Sequence, residues 1–372
     1  MGARWVCCEH LPCYRAHRSA RTAILKPLVG IPQPEKVLIL RFSALGDVIL
    51  TSPAIEALRS AWPQTRILYA VKARLAPVVQ HNPNVDEVIP VLPDESPFAL
   101  GMRLRKMGVG VVLDLHDKLR SKVLRLLLPG PHVVWHKRDF LETVAVKVVR
   151  RRPPPARTFL ADRYHAAVEQ LVGRPLPRGR LSLFLSPGAV ERADRKLRAQ
   201  GVDPDRPMLG MSPGTAWETK RWPVERFGAL ARRAMAAGYQ VVASGEPSEA
   251  ELYRKLAEAA PGTSIVSLDL EELGGFISRC AAFVANDSGP MHMARALGVP
   301  TLAFFGSTDP KMFQFQGHSV LFAGLPCSPC SFFGRRRCPL GHFRCMLDLD
   351  VDQAWRSLQG LLSSPGRRTV SA

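Results

Sequence analysis

Short apolar runs alternate with amphipathic stretches along most of this chain. Val37-Leu38-Ile39-Leu40 fits a buried parallel strand. A polar loop with Gly46 and Asp47 follows, and Val48 through Leu58 reads as a helix ending before Trp62-Pro63. Ile67 to Val71 is a second strand, Val88-Ile89 with Val91 a third, and Val109 to Leu115 a fourth. Between about Pro153 and Pro187 the pattern weakens as Pro and Arg accumulate, and Arg174–Gly179 fits part of a linker. A second series then begins, with strands at Met208–Met211, Gln240–Ser244, Ala281–Ala285 and Thr301–Phe305. The alternation predicts an α/β protein with a doubly wound parallel sheet in each half. The expected divisions are an extension over 1–34, an N-terminal Rossmann-like domain over 35–185 and a C-terminal one over 186–372. The final helix could return to the N-terminal domain.

Two such domains are expected to face a central cleft, and ligands of these sheets bind beyond the carboxyl ends of the strands. Five loops there carry polar or Gly chemistry: 43–47, 212–220, 245–249, 287–292 and 306–310. That exceeds what folding requires. In Asp287-Ser288-Gly289-Pro290-Met291-His292, a strand gives way to a short helix. Asp287 or Ser288 could cap that helix, Gly289 lets a ligand approach the backbone, and the open N–H groups suit an anion.

At 372 residues the chain suits two domains. It has no run of about 18 apolar residues, so no membrane-spanning helix is expected. The formal charge of +19 favours polyanions: nucleic acid, an anionic membrane face or a phosphorylated substrate. No nucleic-acid-binding motif accompanies it. Residues 1–34 hold Cys7, Cys8 and Cys13 without the apolar core of a signal peptide, and read as a disordered extension or as translated sequence upstream of the true start. A cytosolic location follows as an expectation, so the eight cysteines are not presumed to be disulfides.

In their order, Arg41–Val48, Ser212–Trp217 with Lys220-Arg221-Trp222-Pro223, Asp287–His292 and Gly306–Pro310 make the chain resemble glycosyltransferase family 9, the ADP-heptose:lipopolysaccharide heptosyltransferases. The resemblance runs from about Lys36 to Leu362. The end, Cys327-Ser328-Pro329-Cys330 through Cys338 and Cys345, looks like the branch holding the second inner-core heptosyltransferase. The family implies a GT-B fold, inverting transfer and no metal requirement for catalysis. It implies an ADP-heptose donor in the C-terminal half, a Kdo/heptose-lipid A acceptor in the N-terminal half, and a peripheral place at the cytoplasmic face of the inner membrane, held by charge. A family 9 transferase for another nucleotide sugar or glycan, a sugar epimerase of the same fold and a non-catalytic anion-binding protein are the alternatives.

The resemblance assigns roles. Asp47 matches the base that takes the acceptor proton; the other reading is a cap for the helix near Val48. Lys220 matches the cation on the donor diphosphate, with Thr215 beside it, and Ala216 stands where relatives carry a hydroxyl. Ser288 and Gly289 would hold the diphosphate through backbone N–H groups, with Asp287 and His292 as a donor-site pair. Glu249 resembles the acid that holds nucleoside hydroxyls, and Glu246 competes for that role. Thr308 and Asp309 line a neighbouring loop or only cap it. His116, Lys118 and Arg120, followed by Lys122, are candidate acceptor contacts or a solvated helix face.

The spacing C-x2-C-x7-C-x6-C of Cys327, Cys330, Cys338 and Cys345, with His342 inside, could hold a structural zinc or an iron–sulfur group. Free thiols or a redox pair are the alternative. Asp348-Leu349-Asp350 imitates a metal-binding Asp-x-Asp, but Asp350 with Gln353 fits a helix cap better.

Overall fold

Val37 to Leu40 are wholly buried, as a strand covered on both faces must be. They lie in β1 (Lys36–Leu40), the centre of a sheet with β2 (Arg66–Lys72), β3 (Glu87–Val91), β4 (Val111–Asp114) and β5 (His132–Val134). The order is β3-β2-β1-β4-β5, and every pair is parallel. Crossovers come from α1 (Leu45–Ile49), α2 (Ser52–Ala61), α3 (Pro77–Gln80), α4 (Pro97–Lys106) and α5 (Leu119–Leu127), followed by α6 (Leu160–Val172). The computed structural model describes residues 30–135 and 158–363, with Val146, Pro153 and Ala156 between them. They form two compact units: 30–135 with 158–186, and 187–363 with those three intervening residues.

Several expectations for the first unit need correction. The helix read over Val48–Leu58 is two helices, because Pro53 has no N–H to donate to the Ile49 carbonyl. Thr51 fills the break, its hydroxyl donating to the Val48 carbonyl at 2.6 Å and meeting the Tyr69 hydroxyl at 3.0 Å. The segment read as weakly patterned contains α6. The linker stretch is tied down: the Leu176 amide donates to Glu169 at 3.0 Å, and just beyond it the Ser182 amide donates to Ser52 at 3.0 Å. Of the expected extension, residues 1–29 lie outside the described residues. Residues 30–34 belong to the first unit, with the Ile31 amide on the Leu171 carbonyl and Thr65 on the Pro34 carbonyl.

The second unit holds β6 (Met208–Ser212), β7 (Gln240–Ala243), β8 (Ser264–Ile265), β9 (Ala282–Asn286), β10 (Thr301–Phe305) and β11 (Ser319–Phe322). Their order is β11-β10-β9-β6-β7-β8, again parallel throughout. Its helices are α7 (Ala189–Ala199), α8 (Val224–Ala236), α9 (Ala250–Ala259), α10 (Leu270–Arg279), α11 (Gly289–Ala296), α12 (Arg344–Leu347) and α13 (Val351–Ser363). Trp222 anchors the core, stacked on Phe304 at 4.0 Å between ring centres, with its indole N–H on the Leu349 carbonyl. The final helix, α13, packs on the second unit's own core, where Ala354 and Leu358 are buried with Trp222. It starts on the expected reciprocal cap, the Gln353 amide donating to Asp350 at 2.8 Å.

Strand order locates the ligand-binding edge of each sheet. Consecutive connections diverge between β1 and β4 in the first unit and between β6 and β9 in the second. Loops beyond the carboxyl ends of such a pair leave a crevice. The Asp47 and His116 loops follow β1 and β4; the Lys220 and Asp287 loops follow β6 and β9.

Candidate active site

In the second unit, the loops after β6 and β9 are stitched together by Asn286. Its side-chain oxygen accepts from the Trp222 amide at 3.0 Å, and its amide nitrogen donates to the Pro213 carbonyl at 2.6 Å. This fixes Lys220, at the end of a 3-10 turn, beside Asp287. The ammonium lies 2.7 Å from the carboxylate, and both side chains are largely buried. The Thr308 hydroxyl donates to the same carboxylate oxygen at 2.7 Å, and Thr215 reaches the Asp287 carbonyl at 3.5 Å. Burial opposes ionisation of Asp287. The Lys220 charge and hydrogen bond, then Thr308 and the field of His292, outweigh it and hold the carboxyl below its ordinary range.

Asp287 therefore does not cap α11, and neither does Ser288, whose buried hydroxyl has no partner among the described residues. The first amides of α11 are left without a side-chain cap, beside a buried ammonium. Pro290 at the helix start has no N–H to satisfy. That combination suits a multiply charged anion.

His292 lies one turn into α11, edge-on to Phe313 at 4.7 Å between ring centres. Its Nδ1 is 3.2 Å from the guanidinium of buried Arg295. A guanidinium can only donate, so Nδ1 accepts and the ring proton sits on Nε2. Whatever oxygen Nε2 meets must be an acceptor. Arg295 also stacks over Phe315 at 4.5 Å. Burial lowers its pKa to about 10 against the opposing pull of Asp287. Among the described residues no carboxylate pairs with it.

Glu249, not Glu246, turns inward: Glu246 is exposed, whereas Glu249 is partly buried. A Cβ at Gly214 would meet the Glu249 carboxylate at 2.0 Å, so only glycine allows this approach. Burial raises the Glu249 pKa, with Arg221, 3.9 Å away, opposing. Arg221 also donates to the Thr215 carbonyl at 2.8 Å, joining the two loops. Asp309 caps the turn after it, accepting from the Lys311 amide, and also accepts from the Ala156 amide, each at 2.9 Å.

In the first unit, Asp47 lies in the first turn of α1 and accepts from the Ala44 amide at 3.4 Å, so it does take part in the helix start. It also pairs with Arg41, which is 1% exposed. Arg41 lies between Trp135 and Tyr164, its guanidinium 5.8 and 5.4 Å from their ring centres, and donates to the Leu115 carbonyl. Asp47 is thus aimed from behind by a caged cation while remaining partly exposed.

The candidate acceptor residues separate. His116 is buried edge-on against Phe42, 5.0 Å between ring centres. Its backbone N–H is held by Asp114 at 2.9 Å. Arg120 turns to the Glu95 carbonyl, and Lys118 is exposed at the start of α5. Lys122, one turn along α5, is exposed as well.

Cys327, Cys330, Cys338 and Cys345 share one neighbourhood. Burial, then the charges of the other three, push the Cys345 thiol up to about 12, and burial also raises Cys330. The His342 Nδ1 accepts from the Arg344 amide at 3.0 Å, which places its proton on Nε2, facing the Cys327 sulfur at 3.7 Å. Among the described residues, no group of three or more His, Cys, Asp or Glu is disposed to hold a metal ion. The zinc or iron–sulfur expectation gains no support from the placement of these residues.

Arg41, Asn286 and Arg295 are the contributors that sequence reasoning left without a role. Arg41 and Arg295 show a signal in hindsight: each is a cation inside an apolar stretch.

Comparison with known proteins adds to this geometry. A family model described as glycosyltransferase family 9 (heptosyltransferase) matches residues 98–342. Lipopolysaccharide heptosyltransferase 1 of Pseudomonas aeruginosa is 30% identical over 313 residues, covering 79% of this chain and 86% of that protein. A crystal structure of a family 9 glycosyltransferase from Veillonella parvula superposes with a TM-score of 0.73 at 23% identity, covering 88% of this chain and 97% of that one. The Escherichia coli ADP-heptose lps heptosyltransferase II gives 0.68 at 22% identity, covering 88% and 98%. At such identities the structural likeness is one of fold, and the fold is GT-B.

Proposed function

The chain belongs to glycosyltransferase family 9, the heptosyltransferases of lipopolysaccharide core synthesis, and from that premise we propose that it moves heptose from ADP-heptose to a Kdo/heptose-lipid A acceptor with inversion. The donor binds the second unit and the acceptor the first. Asp47 takes the proton of the acceptor hydroxyl as that oxygen bonds to the anomeric carbon. The bond from that carbon to the diphosphate oxygen breaks on the opposite face, and ADP leaves. Lys220 and the α11 amides after Ser288 and Gly289 meet the charge growing on the diphosphate. Thr215 lies beside it, His292 donates through Nε2, and Glu249 accepts from the nucleoside hydroxyls. Lys118 contributes charge toward the anionic acceptor, with His116 and Arg120 shaping the loop around it.

The observation that carries this reading is the buried Lys220–Asp287 pair beside uncapped helix amides. Asp287 is the resident counterion that the diphosphate replaces or joins. The acceptor is a lipid, so the enzyme works at the cytoplasmic face of the membrane, attached by charge. Among the described residues, no helix is long and apolar enough to cross a membrane.

Calorimetric titration with ADP-heptose, and with ADP-, UDP- and GDP-sugar controls, without added metal, tests the proposal. Selective ADP-heptose binding that is lost in Lys220→Ala is expected. Preference for another nucleotide sugar would overturn the donor while leaving the family intact.

A further inference from the structure

Helices α4 and α5 lie side by side on the first unit. Arg120, at the start of α5, donates to the Glu95 carbonyl just before α4. Further along, a Cβ on Gly101 would meet a Leu127 methyl at 2.7 Å. The helices therefore run in the same direction and in close contact. Leu100, Leu104 and Leu124 point into the core. The opposite faces form one outer surface.

That surface has an unusual composition. On α4 one outward stripe holds Phe98, Met102, Arg105 and Lys106, at helical spacings of four, seven and eight; Ala99 and Arg103 are exposed beside it, Arg103 paired with Glu95 at 2.9 Å. On α5 they are Leu119, Lys122 and Leu126, at spacings of three and seven. Phe98 is 63% exposed, Met102 43%, Leu119 79% and Leu126 87%. Neither helix contains an acidic residue. Arg105, Lys106 and Lys122 pair with no acid among the described residues. Single exposed apolar residues are ordinary, but four on one face with interleaved cations are not.

We propose that this α4–α5 face docks the enzyme on an anionic lipid bilayer, with Phe98, Met102, Leu119 and Leu126 entering the interface and Arg105, Lys106 and Lys122 meeting lipid phosphates. An interfacial surface combines these two components: apolar side chains that reach the acyl boundary and cations on the flanks. A twofold contact with a second copy would set like charges against one another. Leu119 adjoins Lys118 and Arg120, so the lipid-facing edge is continuous with the loop proposed for the acceptor. The inference deepens the proposed function by giving the lipid-borne acceptor a point of contact, and it is tested separately.

The test is co-sedimentation of the full chain with phosphatidylglycerol-containing vesicles and with pure phosphatidylcholine vesicles. It uses the protein as it stands, a variant with Phe98→Ser, Met102→Ser, Leu119→Ser and Leu126→Ser, and a variant with Arg105→Glu and Lys106→Glu. Circular dichroism establishes that each folds, and transfer to a lipid-free Kdo oligosaccharide is measured alongside. The unaltered protein should bind the anionic vesicles only. The apolar variant should lose on the order of 100-fold or more in partition, and the charge variant on the order of tenfold or more. Transfer to the lipid-free acceptor should be unchanged in both. Undiminished binding in either variant, equal binding to neutral vesicles, or a change of oligomeric state without a change in vesicle binding would overturn the surface. Vesicle binding as described, with no transfer to the soluble acceptor by the unaltered protein, would instead overturn the proposed function.

Discussion

Separating Lys220 from Asp287 should be costly in either direction and cheap when both are removed. The pair spans 2.7 Å, and its side chains are 12% and 6% exposed. Removing one partner of such a pair leaves the other buried and uncompensated, at about 3–5 kcal/mol. Asp287→Asn keeps the shape and strands the ammonium; Lys220→Met strands the carboxylate. In a unit of this size each kcal/mol moves the melting temperature by about 2–4 °C, so each single variant should melt roughly 6–20 °C lower. The double variant leaves no unpaired charge and should lose far less than the sum, with a coupling of about 3 kcal/mol. Calorimetric melting of the four proteins reads this directly. ADP should stabilise Asp287→Asn more than the unaltered protein, because the diphosphate supplies the missing negative charge. Losses that add within about 0.5 kcal/mol would refute the reasoning. The same pair sets an acid limb. The Asp287 carboxyl lies below its ordinary value of 3.8 when folded, so the unfolded chain takes up that proton first. The stabilisation is complete above that ordinary value and is lost as pH falls from there through the lowered folded value. Asp287→Asn should remove that part of the acid dependence.

Other perturbations reach the site from behind. Arg41→Met should release Asp47 from its caged cation and lower kcat on the order of 100-fold, with KM for the donor little changed; an equal fall in donor affinity would show that Arg41 only holds the unit together. Gly214→Ala should displace Glu249, since the new methyl would lie 2.0 Å from its carboxylate. Calorimetry should then show donor affinity reduced by about tenfold or more, and an unchanged value would remove Glu249 from the donor site. Arg295→Met should free His292 to take either tautomer. In nitrogen NMR of the unaltered protein, Nδ1 should be the unprotonated ring nitrogen and the variant should mix the two forms; a protonated Nδ1 at the outset would contradict the assignment.

The strands were legible because a strand buried on both faces is written as a continuous apolar run, and Val37–Leu40, Ala282–Ala285 and Thr301–Phe305 are such runs. Helices were less so. Leu160, Tyr164, Val168 and Leu171 recur at helical spacing and form the inner face of α6, yet the surrounding Pro and Arg masked the period. Pro53 fell inside what reads as one helix over Val48–Leu58, yet it starts a second helix, and the Thr51 bridge fills the break. At the site, motifs picked out the Lys220 and Asp287 loops. They could not indicate that Asp287 spends its carboxylate on Lys220 and Thr308 and leaves α11 uncapped, because that choice depends on a contact 67 residues apart in sequence (220 to 287). Arg41 and Arg295 were overlooked for one reason: a cation in sequence reads as surface, whereas aromatic rings and carbonyls surround both here. The cysteine spacing suggested a metal, but spacing along the chain does not fix how four thiols are disposed in space, and no group that could hold a metal ion forms among the described residues.

The central claim is that Asp47 performs chemistry and does not merely start a helix. Its most direct test is Asp47→Ala, with heptose transfer to a Kdo-lipid A acceptor and ADP-heptose binding measured on the same preparation. The account predicts that transfer is abolished while binding of ADP-heptose to the second unit is retained. Retained transfer, or loss of transfer and donor binding together, would contradict it.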